Sequence, residues 1–213
     1  MTISLEDIPA DSRITSLEQL DALYGAPSSR ALIKEIDHIS AEYKVFVEKS
    51  PFVILASSGP GGLDCSPRGD PAGFVRVADD KTVLLPDRLG NNRTDSLSNI
   101  IDDPRASLLF LIPGVGETLR INGTAEIFVD ADLCAEFMTN GKTPRSVLCV
   151  HVERVYFQCP KALIRSKLWD VETQVARSEL PTSGDIFNAI SGGEIGGAEY
   201  DRAYPQHAKD TIY

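Results

Sequence analysis

Residues 84–97 run from an apolar stretch through Pro86-Asp87-Arg88-Leu89 into Gly90-Asn91-Asn92-Arg93-Thr94-Asp95-Ser96-Leu97. A strand pattern ends there, a polar turn follows and helical spacing begins. A helix start presents unpaired backbone N–H groups and the positive end of the dipole, which suits phosphate. Asn92 is a fitting cap for that helix. Arg93 adds a fork of charged donors matched to phosphate oxygens. A plain capped helix with a solvated arginine fits the same residues.

Two further stretches carry cations among unusual neighbours. In Cys65-Ser66-Pro67-Arg68-Gly69-Asp70-Pro71 the prolines and glycine break a strand pattern and expose Ser66 and Arg68. A turn at the rim of a barrel explains this equally well, although such loops often carry function. In Pro160-Lys161-Ala162-Leu163-Ile164-Arg165-Ser166-Lys167-Leu168-Trp169 a helix opened by Pro160 puts Lys161, Arg165 and Trp169 on one face. Charge beside the chain's single tryptophan suits an anionic aromatic ligand. A surface helix with a packed Trp is the alternative.

Other chemistries find no footing. There is no G-x-G-x-x-G after a strand, no Walker A run and no G-x-S-x-G elbow. His38, His151 and His207 have no neighbours that build a triad, and His151 alternates with Val150 and Val152 on the outer or rim face of a strand. Cys65, Cys134, Cys149 and Cys159 form no C-x-x-C pair, which predicts buried, reduced thiols and no zinc site. No side chain stands out as a catalytic acid or base.

The elements that must position these residues follow from spacing. Over residues 1–50 helical patterns dominate: Ser16 caps a run stopped at Gly25, Pro27 opens another approach, and Ser40 caps a third. Strands are predicted at residues 52–56, 63–68, 74–77, 82–85, 106–112, 119–129 and 147–157, with 106–112 central and a bulge at Gly123. Helices are predicted at about 93–101 and 132–138, with two more near 186–190 and 198–204. Residues 113–117 read as a hairpin loop. Short strands with few helices predict a mainly β, antiparallel barrel with flanking helices. The organisation expected is a helical segment over 1–50 packed on the barrel, the barrel over 51–170 and an extension over 171–213.

The chain has 213 residues, 42% of them hydrophobic and 24% charged, enough for one packed domain with appendages. Its formal net charge of −10 disfavours nucleic acid and anionic membrane as partners. The first eleven residues carry acids and no apolar run, and no stretch approaches the ~20 apolar residues of a membrane span, so a cytoplasmic protein is expected.

In their order, the turn Leu89-Gly90-Asn91-Asn92-Arg93, the helix and the strand Pro104-Arg105-Ala106-Ser107-Leu108-Leu109-Phe110 closely resemble the pyridoxamine 5′-phosphate oxidase family of FMN-binding split barrels. The stretches around Arg68 and over 161–169 look like an oxidase-related bacterial branch, and the resemblance spans roughly residues 28–170. It implies a six-stranded antiparallel split β-barrel, with FMN held between the subunits of a homodimer. Carried over by position, Asn92, Arg93 and Ser96 match the phosphate turn, Ser66 and Arg68 the strand beneath the flavin, and Lys161, Arg165, Ser166 and Trp169 the later flavin contacts. The Arg-x-His-Asp-Arg type run of the biosynthetic oxidases is missing. The resemblance therefore implies an FMN-dependent oxidoreductase acting on a small molecule, with NAD(P)H as a candidate donor. A true pyridoxamine phosphate oxidase and a non-catalytic flavin-binding module are the alternatives.

Overall fold

The computed structural model describes residues 4–213. Two compact units divide at Glu35 and Ile36. In the first, α1 (Leu17–Tyr24) starts where the Ser16 side chain accepts from the Gln19 N–H, and ends at Gly25 with φ of 69°. The second helix, α2 (Ser29–Ile33), is capped in the same way by Ser28.

The second unit opens with α3 (Ala41–Lys49), whose cap is the predicted Ser40. Seven strands then form one antiparallel sheet: β1 (Phe52–Gly59), β2 (Gly62–Gly69), β3 (Arg76–Asp79), β4 (Thr82–Asp87), β5 (Arg105–Leu111), β6 (Thr118–Phe128) and β7 (Ser146–Gln158). Their order across the sheet is β2-β1-β5-β6-β7-β4-β3. All seven strands read from spacing form, β3 overlapping the stretch predicted at 74–77; that is one more than the six-stranded barrel implied by the resemblance, and the sheet ends on β2 and β3 instead of closing. β6 takes the middle place, with β5 beside it, because the long β6 pairs along nearly its whole length with β7.

Period-two burial builds the core. Val53 and Leu55 of β1, Leu108 and Phe110 of β5, and Leu119 and Ile121 of β6 all point inward. The register of β6 against β7 shifts between Asn122 and Gly123, as the glycine predicted. The extra residue is Glu153 on β7. It lets Val150 and Val152 on one side of the shift, and Val155 on the other, face the same core. Gly123 is required there, since a Cβ would overlap the His151 carbonyl.

Helix α4 (Asp95–Asp102) lies between β4 and β5, and α5 (Ala131–Glu136) between β6 and β7. After β7 come α6 (Lys161–Ser166), α7 (Ser183–Ile190) and α8 (Gly197–Thr211). Among the described residues no helix is long and apolar enough to cross a membrane. None of their His, Cys, Asp and Glu side chains group in threes fit to hold a metal ion. The four cysteines are free, but only Cys134 is buried; Cys65 and Cys159 are exposed and Cys149 lies between. Cys65 sits on the edge strand β2, where alternation turns it outward. His151 is exposed, as its alternation predicted, with Nε2 2.7 Å from the Glu126 carboxylate.

Candidate functional site

The strand β2 and the helix α4 are locked together before any ligand is considered. The Asn99 side chain of α4 donates to the Ser57 hydroxyl at 3.3 Å and to the Gly62 carbonyl at 3.2 Å. It lies so close to Gly59 that a side chain there would collide with it. Ser66 Oγ of β2 donates to Asp64 at 2.8 Å, and Ser96 Oγ of α4 donates to the same carboxylate oxygen. The hydrogen bond from Ser96 is the main reason that the Asp64 carboxyl titrates below its ordinary range. These contacts fix where the first turn of α4 stands relative to Arg68, two residues beyond Ser66 on the same face of β2.

A cavity of about 460 Å³ opens beside that junction, and Arg68, Asp87, Asn92, Arg93 and Arg145 form its polar wall. Leu97, Ile101, Ile127 and Val129 form an apolar flank. Arg68 keeps 23% of its side chain exposed; its Nη2 lies 3.6 Å from Asp87 and its Nη1 donates to the Pro67 carbonyl. Its Nε is buried with no hydrogen-bond partner. A buried donor left unpaired is costly, of order 1–3 kcal/mol. Arg145 donates to the Asn92 side chain at 2.7 Å, and Asn92 holds a left-handed backbone with φ of 61°. Burial pushes the Asp87 carboxyl above its ordinary range, against the opposing pull of Arg68 and Arg145.

The start of α4 differs from the sequence expectation in detail. The cap position is Thr94, not Asn92, because Asn92 is taken up by its left-handed turn and by Arg145. Thr94 makes no side-chain cap bond, so the first-turn N–H groups of α4 receive no capping oxygen from it. Arg93 lines the cavity yet is 76% exposed and pairs with Asp95 at 2.7 Å. Ser66 and Ser96 are spent on Asp64 and do not line the cavity.

The third group stands elsewhere on the chain. Lys161, Arg165 and Ser166 lie exposed on α6, and the Ser166 hydroxyl donates to its own helix at Leu163. α6 ends at Ser166, since Lys167 turns left-handed with φ of 50°. The expected stripe of Lys161, Arg165 and Trp169 on one helix therefore does not form. Trp169 lies past the helix, and its Nε1 donates to the Val115 carbonyl at 2.8 Å. None of the four lines the cavity with Arg68.

Sequence reasoning missed Arg145, Arg88 and Asp87. Arg145 reaches the cavity because β4 pairs with β7 so that Asp87 faces Ser146. Nothing within residues 142–146 signals that neighbour.

The sequence model described as pyridoxamine 5′-phosphate oxidase matches residues 39–159. The chain belongs to the pyridoxamine 5′-phosphate oxidase family. The matched residues include every side chain lining the cavity and stop short of Lys161. No curated protein matches the chain. Solved structures similar to this family member include HupZ of Group A Streptococcus, at 23% identity and TM-score 0.45, covering 55% of this chain and 91% of that one. General Stress Protein 26 from Bacillus anthracis is similar at 12% identity and TM-score 0.42, covering 53% and 88%. An FAD binding protein from Mycobacterium smegmatis is similar at 14% identity and TM-score 0.41, covering 58% and 97%.

Proposed function

We propose that the chain binds FMN in the cavity beside Arg68 and works, as a homodimer, as an FMN-dependent oxidoreductase on a small-molecule substrate. The observation that carries the reading is the partly exposed Arg68 guanidinium at the wall of an open cavity, bonded through Nη1 to a neutral carbonyl and 3.6 Å from Asp87. A phosphate oxygen on its exposed edge would complete its hydrogen bonding. Arg145, steadied by Asn92, supplies a second cation, and the uncapped first turn of α4 supplies backbone donors. Arg93 adds charge at the solvent side. The apolar flank of Leu97, Ile101, Ile127 and Val129 suits the uncharged body of a flavin and excludes water from it. Bound flavin would supply the electron and hydride transfer chemistry itself.

The homodimer is part of this reading. Lys161, Arg165, Ser166 and Trp169 are exposed and stand outside the cavity of their own chain. In a dimer they are the residues of a second copy that would close the site. Ile101 and Val129 at the mouth are 76% and 77% exposed, an apolar rim of the kind that a second copy would cover. FMN is favoured over FAD because the cations gather at one cavity wall, with no second glycine-rich pyrophosphate turn. The test is titration of flavin-free protein with FMN and with FAD, followed by light scattering. FMN binding in preference to FAD on a dimer supports the proposal; a protein that ignores FMN overturns it.

A further inference from the structure

Four arginines line the cavity beside α4: Arg68, Arg88, Arg93 and Arg145. Among the described residues that line it, Asp87 alone carries negative charge. Repulsion alone would keep an acid out of a pocket built for a phosphate dianion. Yet the backbone fixes this one in place. Asp87 ends β4 opposite Ser146 of β7, and its carbonyl accepts from the Arg145 N–H at 3.2 Å. Its side chain is only 20% exposed.

The cations around Asp87 compensate it incompletely. Arg68 Nη2 stands 3.6 Å away, an ion pair too long for a hydrogen bond. Arg88 gives Nε and Nη2 to the buried Asp70 carboxylate and Nη1 to the Phe137 carbonyl. Arg145 donates to Asn92, and Arg93 pairs with Asp95. Burial accordingly outweighs Arg68 and Arg145 and raises the Asp87 carboxyl above its ordinary range. An anion seated on the exposed edge of Arg68 becomes a neighbour of this carboxylate. Two like charges side by side resist ionising together. One proton between them turns the repulsion into a charge-assisted hydrogen bond. A phosphomonoester carries that proton at little cost near neutrality, because its second pKa is about 6. A phosphodiester has no oxygen of that basicity.

We propose that Asp87 is a specificity-determining residue, which recognises a terminal phosphomonoester by sharing one proton with it and so selects FMN over dinucleotide flavins. The inference deepens the FMN reading and rests on it. As the dianion enters, one proton from solvent comes to lie between a phosphate oxygen and the Asp87 carboxylate. Arg68 and Arg145 balance the charge that remains. The pyrophosphate of a dinucleotide brings no proton of its own. Asp87 must then be protonated unaided, or face the ligand ionised, and either costs affinity at neutral pH.

The experiment is calorimetric titration with FMN and FAD across neutral and mildly alkaline pH, in phosphate-free buffers of different ionisation enthalpy. Binding that takes up a proton weakens as pH rises. FMN affinity of the wild-type protein should therefore fall by up to about tenfold per pH unit between about pH 7 and 9, with close to one proton taken up. Asp87→Asn cannot share the proton. It should flatten that dependence and shrink the preference for FMN over FAD severalfold at pH 7, neither of which a purely structural role would do. Phenyl phosphate and its monomethyl ester repeat the comparison without a flavin ring, and only the first should take up the proton. The wild-type measurement decides the matter even if the variant does not fold: FMN binding with a flat pH profile and no proton uptake would overturn the proposal. An unchanged slope or an unchanged preference in a folded Asp87→Asn protein would overturn it too. FMN bound without proton uptake removes this inference alone. Phenyl phosphate bound with proton uptake, by protein that ignores FMN, removes the flavin reading alone, and protein that binds neither removes both.

Discussion

Replacing Arg68 by alanine tests the site at its most specific point. The side chain is 23% exposed, its Nε has no partner within the chain, and its Nη2 lies 3.6 Å from Asp87. A hydrogen bond to a charged group contributes roughly 1.5–3 kcal/mol, and each ~1.4 kcal/mol is tenfold in affinity. Arg68→Ala should therefore raise the FMN dissociation constant about ten- to a hundredfold. A second effect acts in the same direction. Arg68 is one of the cations that hold down the Asp87 carboxyl against burial, so its removal leaves a less compensated acid beside the phosphate. Arg68→Lys separates charge from geometry, because lysine keeps the charge and loses the Nε–H of the planar fork. Its affinity should fall between those of wild type and Arg68→Ala. Flavin fluorescence titrations at fixed salt read all three constants. An Arg68→Ala constant within about twofold of wild type would show that no phosphate oxygen sits on this guanidinium, and the cavity assignment would fall with it.

Other substitutions extend the test. Arg93→Ala should weaken FMN by no more than about fivefold, since this side chain is 76% exposed and screened. Arg105→Ala, whose side chain is 78% exposed and bound to Asp103, should change the same titration by less than about twofold. Trp169→Ala should weaken FMN and shift light scattering toward monomer together; a loss of affinity on an intact dimer would contradict its assignment to a second copy. Asp87→Asn should stabilise the protein at neutral pH. The folded state raises the pKa of Asp87, so its ionisation costs stability above its ordinary pKa of 3.8. The gain in Tm should therefore be present at pH 7 and vanish as pH falls below that value, and a gain independent of pH would refute the sign. Pyridoxamine phosphate should give little or no hydrogen peroxide with the FMN-loaded protein; rapid production would promote the biosynthetic reaction.

Much of the fold could be read locally. Val53, Leu55, Leu108, Phe110, Leu119 and Ile121 alternate with outward residues, and that alternation alone sets which face is core. Ser16 and Ser40 announce helix starts because a serine side chain bonds backbone only three residues on. Gly123 marks the register shift because no other residue leaves room for the His151 carbonyl. The cations at Arg68 and Arg93 stood out in the same way, each beside turn residues in its own stretch.

What local spacing could not supply was the partner of each cation. Asp87 and Arg145 lie 58 residues apart in the chain and meet only because β4 and β7 pair with Asp87 opposite Ser146. That pairing puts Arg145 within reach of Asn92, which moves the cap of α4 to Thr94. Trp169 shows the converse. Helical spacing joined it to Lys161 and Arg165, but Lys167 turns left-handed and the indole bonds the Val115 carbonyl instead. Periodicity in a sequence reports the face of an element while that element continues. Where the element stops, and which distant element supplies the next charge, is decided by strand register and by the hydrogen bonds that tertiary packing makes available.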